Sequence, residues 1–445
     1  MSSRISSWGR AHLQPQTHQA FGNRHAGLPE AGDKGTLLAH GNGRSYGDSN
    51  LNSSGLVLHA RHLDRFIDFN PDTGLLRCEA GVLLAEILEL VVPQGWFLPV
   101  TPGTKYVTVG GAIANDVHGK NHHVVGSFGN HVQFFELLRS DGARLLCSPA
   151  DNAVLYAATI GGLGLTGLIT WAEIQLKRIA NPYVDNETIR FRHLEDFFEI
   201  SERSAADYEY TVAWIDCAFS GKRLGRGLFN RANHAPVSFR AGRTYPLTGG
   251  WTHERERRVP LTPPISLINP LSLKAFNLLY FNKQWGDEVR GTSHLDPFFY
   301  PLDALLEWNR IYGPRGFYQY QCVLPPDGAL EGTRSLLQAI SRSGMGSFLA
   351  VLKQFGEPAS RGMLSFPTPG TTLALDFPNQ GERLHALFRE LDAVVSDHGG
   401  RLYPAKDGRM SREMFAQGHP RLAEFLPWVD PAFSSDFWQR VRPVP

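Results

Sequence analysis

Apolar residues recur along this chain with two periods, and the two textures are interleaved. Leu84, Ile87, Leu88 and Val91 stand at i, i+3, i+4 and i+7, which predicts a helix over 82–92, ended by Pro93 and Gly95. Just before it, the β-rich runs 65–69 and 75–80 flank Asn70-Pro71-Asp72-Thr73-Gly74, a hairpin signal. A second hairpin is predicted around Ser140-Asp141-Gly142. A helix over 151–159, a Gly-rich loop over 161–167 and a strand over 168–176 follow. Residues 1–35 are polar apart from Trp8 and Phe21, and 36–39 form a short apolar run before the strand 55–58.

Beyond residue 180, strands are predicted over 210–218, 316–325, 346–355 and 371–377, and helices over 193–205, 272–281, 330–343 and 382–398. Residues 243–290 are the least regular, with Pro246, Pro260, Pro263, Pro264 and Pro270 and a charged knot at 253–258. They are expected to form a mobile rim. The pattern is α+β, with no internal repeat.

Composition narrows the field. Lys and Arg number 44 against 43 Asp and Glu, so the near balance argues against a nucleic-acid binder, although it leaves room for a local anion site. The four cysteines are widely spaced and form no CxxC, which suits a reducing compartment and excludes a zinc knuckle. The first residues carry no apolar signal core, and no run is long enough for a spanning helix. A cytoplasmic location is expected, with peripheral contact at the inner membrane as a further expectation.

Three Gly-rich loops carry the candidate chemistry. The first runs Gly41-Asn42-Gly43-Arg44-Ser45-Tyr46-Gly47-Asp48. It fits an ordinary hairpin loop and a nest of backbone N–H groups around an anion about equally well. The second contains Pro102-Gly103-Thr104 and Thr108-Val109-Gly110-Gly111-Ala112-Ile113-Ala114, small residues that let a flat ring or phosphate approach the backbone. After it come Asn115, His118, Gly119, Lys120, Asn121, His122 and His123. HExxH is absent, and no metal centre is expected. The third loop holds Gly162, Gly164 and Gly167, a formal GxGxxG, with Ile169 beyond it. Here a helix precedes and a strand follows, the reverse of the dinucleotide fingerprint, so a tight turn or a loop pressed on a ligand is the better reading.

Taken together, GNGRSYGDSNLN (41–52), PGTKYVTVGGAIANDVHGKNHHVVGSFGNHV (102–132), GGLGLTGLI (161–169), PLDALLEWNRIYGPRGFYQYQCVLP (301–325) and GGRLYPAKDGR (399–409) resemble the FAD-dependent oxidoreductases of the vanillyl-alcohol oxidase type. The resemblance is strongest to flavin components of sugar 2-epimerases. It implies an α+β flavin domain over 1–180, a substrate cap on an antiparallel sheet over 181–400, and a return to the flavin domain over 401–445. The first loop would hold the FAD pyrophosphate, the second would lie along the pyrophosphate and isoalloxazine, and the third would line the adenosine side. Covalent relatives attach flavin through a His in the first loop; this chain reads Arg44-Ser45-Tyr46, so non-covalent FAD is expected.

The implied reaction is oxidation of the C2 hydroxyl of a polyprenyl-phosphate-linked pentose, with hydride passing to the flavin. A separate NAD(P)H-dependent short-chain reductase would complete the epimerisation. Lys406 would contact flavin, substrate or both; His118 and Tyr46 would sit beside the ring, and the base is one of these three. Tyr403 would line the pocket, and Gln319, Gln321, Lys353, Thr372 and Lys120 would meet the substrate. Family members with Asn-x-Cys before Val-Asp-Phe-Pro contrast with Thr372-Leu373-Ala374 here, which changes the pocket's shape and polar contacts. The rivals are a sugar or aldonolactone oxidase acting on a soluble substrate with oxygen, and a non-catalytic FAD-fold binding protein.

Overall fold

The computed structural model describes residues 5–31, 35–238 and 257–444. The predicted helix appears as Leu84–Val91, and its stripe of Leu84, Ile87, Leu88 and Val91 is wholly buried. Each such side chain contributes about 1.5–3 kcal/mol relative to exposure. The helix packs with a five-stranded antiparallel sheet ordered Phe66–Asn70, Leu75–Glu79, Leu168–Gln175, Val132–Leu138 and Arg144–Cys147. Both predicted hairpins lie in this sheet.

A small parallel sheet of Thr17–Ala20, Leu56–His59 and Leu37–His40 precedes it. Its first strand was invisible in sequence because its residues are mostly exposed and show no alternation. The last residues of the chain return to this region. Leu37 N–H donates to Ala432 C=O at 2.6 Å, and Arg440 pairs with Asp48 at 2.7 Å.

The largest sheet has eight antiparallel strands in the order Glu288–His294, Tyr183–Phe191, Gly227–His234, Tyr210–Ile215, Val351–Phe355, Gly370–Pro378, Phe317–Leu324 and Arg401–Leu402. Tyr320, Cys322, Leu324, Leu373, Leu375 and Phe377 share one core with the helices Leu194–Ser204, Ala329–Ser343 and Glu382–Asp397. Because side chains alternate along a strand, the residues between them point to the opposite face.

Other segments depart from the sequence reading, among them the strands Tyr183–Phe191 and Gly227–His234, which it did not place. Val109–Ala114 is a short helix, because the Thr108 hydroxyl accepts the Gly111 N–H at 3.1 Å and caps it. The strand predicted over 346–355 begins only at Val351, since Ser347 turns inward and accepts the backbone N–H groups of Leu349 and Asp376. Glu288–His294 is a strand inside the stretch read as irregular; it is a polar, exposed sheet edge with no apolar face to betray it. Of the rest of that stretch, 243–256 lies outside the described residues. Among the described residues, no helix is long and apolar enough to cross a membrane.

Candidate active site

A cavity of about 1020 Å³ lies between the Gly-rich loops and the inner face of the large sheet. That is at the top of the usual ~300–1,000 Å³ range for ligand sites. The first and second loops touch closely: a Cβ on Gly41 would lie 2.4 Å from the Thr108 hydroxyl, and Asn42 Nδ2 donates to Tyr106 C=O at 2.7 Å. Gly43 adopts φ +62°, a conformation that favours glycine. The Arg44 guanidinium lies 4.3 Å from the centre of the Trp8 ring. Its Nε, the Ser49 hydroxyl and both side-chain polar atoms of Asn50 are buried on this wall without a hydrogen-bond partner.

The opposite wall is the sheet. Gln319 and Gln321 alternate on one strand, Thr372, Ala374 and Asp376 on the next, and Val351 and Lys353 on the third; all face the cavity. Farther across the sheet aromatic residues dominate the wall, with Tyr280 packed on Trp214 and Phe276 on Tyr280, beside Asn186, Asn230 and Lys283. The titratable groups therefore gather under the loops, and a largely apolar corridor with a few polar residues on its wall leads away from them.

The two walls meet at His118. Lys353 Nζ donates to its Nδ1 at 3.2 Å, and the Gln321 side-chain amide lies 3.0 Å from its Nε2. The atom of Gln321 that faces His118 Nε2 is its amide nitrogen, which also donates to the Thr372 hydroxyl at 3.3 Å. Burial, reinforced by Lys353, pushes the His118 pKa well down, so the imidazole is neutral. Burial also brings Lys353 down to about 8 and Lys120 to about 7. Lys120 donates to Phe298 and Phe299 C=O at 3.0 and 3.1 Å.

Lys406 Nζ lies 3.7 Å from the centre of the Tyr46 ring. Burial lowers its pKa to about 7, although Asp376 works in the other direction. Burial raises Asp376 to about 7, opposed by a 2.6 Å hydrogen bond from Gln319 and by Lys406. The Tyr46 phenol is pushed well up, chiefly by burial. Tyr403 stacks on Phe366 and donates its hydroxyl to Asn115 C=O at 2.9 Å.

The chain is 38% identical over 428 residues to the decaprenylphosphoryl-β-D-ribose oxidase of Mycolicibacterium smegmatis, covering 93% of this chain and 90% of that protein. It belongs to the decaprenylphosphoryl-β-D-ribose oxidase family. The FAD-binding domain model matches residues 29–148. An uncharacterised Streptomyces coelicolor protein is 33% identical over 81% of this chain and 100% of its own length. The human Δ(24)-sterol reductase is 31% identical over only 23% of this chain and 20% of its own length, a stretch of 102 residues. The fold is thus the FAD-binding fold of the vanillyl-alcohol oxidase type, and the chain is a FAD-dependent oxidoreductase.

The cavity suits FAD. The small residues of the loops leave their backbones open, and the unpartnered Arg44 Nε, Ser49 hydroxyl and Asn50 amide supply buried hydrogen-bonding groups for a polar, anionic cofactor. Every residue expected to meet cofactor or substrate lies on the cavity wall except five. A Cβ on Gly47 would fall 1.6 Å from Asp407 C=O, and one on Gly162 would fall 2.1 Å from Ala158 C=O, so these glycines serve chain packing. Asp48 is committed to Arg440, Asn121 donates to Pro99 C=O at 2.9 Å, and Ala112 is wholly buried inside its helix. The sequence reading missed Asp376. The period-two rule that pairs Gln319 with Gln321 would also have placed Thr372, Ala374 and Asp376 on one face.

Proposed function

We propose that this protein oxidises the C2 hydroxyl of a pentose linked to a polyprenyl phosphate, decaprenylphosphoryl-ribose or a close analogue, to the 2-keto sugar. The observation that carries the reading is the change in character of one continuous cavity. Gln319, Gln321, Lys353, His118 and Lys406 gather at the loop end, and Trp214, Phe276, Tyr280 and Phe348 line the way out. A free sugar has no use for that corridor; a lipid tail does.

FAD supplies the two-electron acceptor. The protein must take the hydroxyl proton, and the three candidate bases are separated by their environments. His118 has both ring nitrogens engaged and a strongly lowered pKa. Tyr46 holds its proton too tightly. Lys406, near 7, has a neutral fraction at physiological pH and takes the proton as the C–H bond breaks. The resulting ammonium leaves positive charge beside the reacting centre, where negative charge grows. Gln319, Gln321 and Lys353 orient the sugar hydroxyls, Lys120 and Thr372 extend that polar surface, and the apolar corridor keeps water from the site.

The domain division at 1–180, 181–400 and 401–445 is part of this proposal. Arg401–Leu402 still pairs with Phe317–Leu324, so the return begins on the cap's own sheet. A short-chain NAD(P)H-dependent reductase acting on the ketone would complete a 2-epimerisation, and the lipid carrier implies contact with a membrane. The test is single-turnover bleaching of the flavin. Decaprenylphosphoryl-ribose should bleach it and free ribose should not. Bleaching by free sugars or aldonolactones, with peroxide formed on readmission of air, would overturn the reading.

A further inference from the structure

The helix Pro270–Phe281 carries apolar side chains on both its inner and outer sides yet is only half covered. Leu273, Asn277 and Phe281 are buried, and Phe276 and Tyr280 face the cavity. On the other side Leu271 is 82% exposed and Leu279 73%, with Leu278 between them. At 100° per residue, 271, 274, 275, 278 and 282 fall on one outward stripe, with 279 at its edge. Leu267 adjoins the first turn of the helix, where its C=O accepts the Ser272 hydroxyl, and is exposed; just beyond the last turn Trp285 is 96% exposed.

This face is held in place. Asn269 caps the helix by accepting the Leu271 and Ser272 N–H groups, and the buried Asn277 donates to Asp216 at 2.7 Å. Asp216 is itself paired with Arg226. The exposed leucines are therefore fixed outward by the inner contacts. An exposed apolar stripe of this kind is the form of an interaction site.

Its charge selects the partner. From Arg257 to Trp285 the chain contains four basic residues and no acidic one. Arg258 pairs with Glu307, while Arg257, Lys274 and Lys283 are exposed. Leucines and a tryptophan set among lysines form the pattern of a helix that lies in the plane of an anionic bilayer surface. The inner side of the same helix is cavity wall, so a bilayer on the outer side would stand next to the apolar corridor.

We infer that residues 257–285 are the face by which this protein docks on an anionic lipid bilayer, bringing the corridor to the membrane surface. The inference shares the lipid-linked substrate with the proposed function, but its test needs no substrate. The FAD-loaded full chain is sedimented with vesicles of phosphatidylcholine, with and without one third phosphatidylglycerol. Binding should rise at least about tenfold with the anionic lipid. The triple variant Leu271→Ser/Leu279→Ser/Trp285→Ser should lose at least about tenfold in binding. Arg257→Glu/Lys274→Glu should lose the preference for anionic lipid. The flavin-to-protein absorbance ratio and the thermal unfolding midpoint should be unchanged in the triple variant, which establishes that it folds and holds FAD. The inference is overturned if the wild type sediments with neither vesicle, or if the triple variant binds as the wild type does. It is equally overturned if the patch instead drives self-association, seen as a concentration-dependent dimer that the triple substitution abolishes.

Discussion

Gln319 and Asp376 stand directly opposite each other on adjacent antiparallel strands, and the amide of the first donates to the carboxylate of the second at 2.6 Å. The pair lies on the cavity wall beside Lys406, and through it the sheet controls the charge of that amine. Burial lowers Lys406 and raises Asp376, and each opposes that shift in the other, so their charge states are linked near neutrality.

The proton balance at Lys406 is open to measurement. If its neutral amine is the base, flavin reduction rises with pH through about 7 and then levels off. The Asp376 carboxylate raises the Lys406 pKa, so Asp376→Asn should lower it and move the rising limb to lower pH. Stopped-flow bleaching across a pH series reads the limb directly, and a limb that stays in place would separate Asp376 from Lys406.

Removing the amine tests its role more directly. Lys406→Ala should slow flavin reduction by about 100-fold or more. The bound flavin spectrum should persist, because the loops that hold it do not depend on this side chain. Reduction at the wild-type rate would remove Lys406 from the chemistry.

FAD should be released by acid. Among the described residues on the cavity wall, His118 is the only histidine and there is no cysteine. Both His118 nitrogens are already held by Gln321 and Lys353. Acid precipitation should leave a yellow supernatant, and flavin retained in the pellet would show a covalent link.

Gly47 should tolerate no side chain. A Cβ there would stand 1.6 Å from Asp407 C=O, which the backbone cannot vacate cheaply. Gly47→Ala is expected to destabilise the protein by about 3 kcal/mol and to reduce FAD occupancy, because the same backbone carries Arg44 to Tyr46. Thermal unfolding and the flavin-to-protein absorbance ratio check it.

The legible parts of this protein were those with local causes. The stripe of Leu84, Ile87, Leu88 and Val91 and the two hairpin turns depend on neighbours in sequence, and they stand where the pattern predicts. The strands Thr17–Ala20 and Glu288–His294 escaped because each is held by distant partners and has no buried face of its own. Asp376 escaped for a related reason: on the sequence it reads as one more carboxylate, and only its burial gives it a pKa near 7.

By itself the sequence determined the chemistry available: three loops of small residues open to a cofactor, a first loop without histidine, and strands whose alternation sends glutamines to one face. Those properties follow from φ/ψ preferences and period, which act over a few residues. The tertiary structure decided which groups meet and in what charge state. His118 finds Gln321 203 residues away and Lys353 235 residues away, and no local rule relates them. Desolvation then tunes His118, Lys353 and Lys406, because the cost of a buried charge is set by everything packed around it.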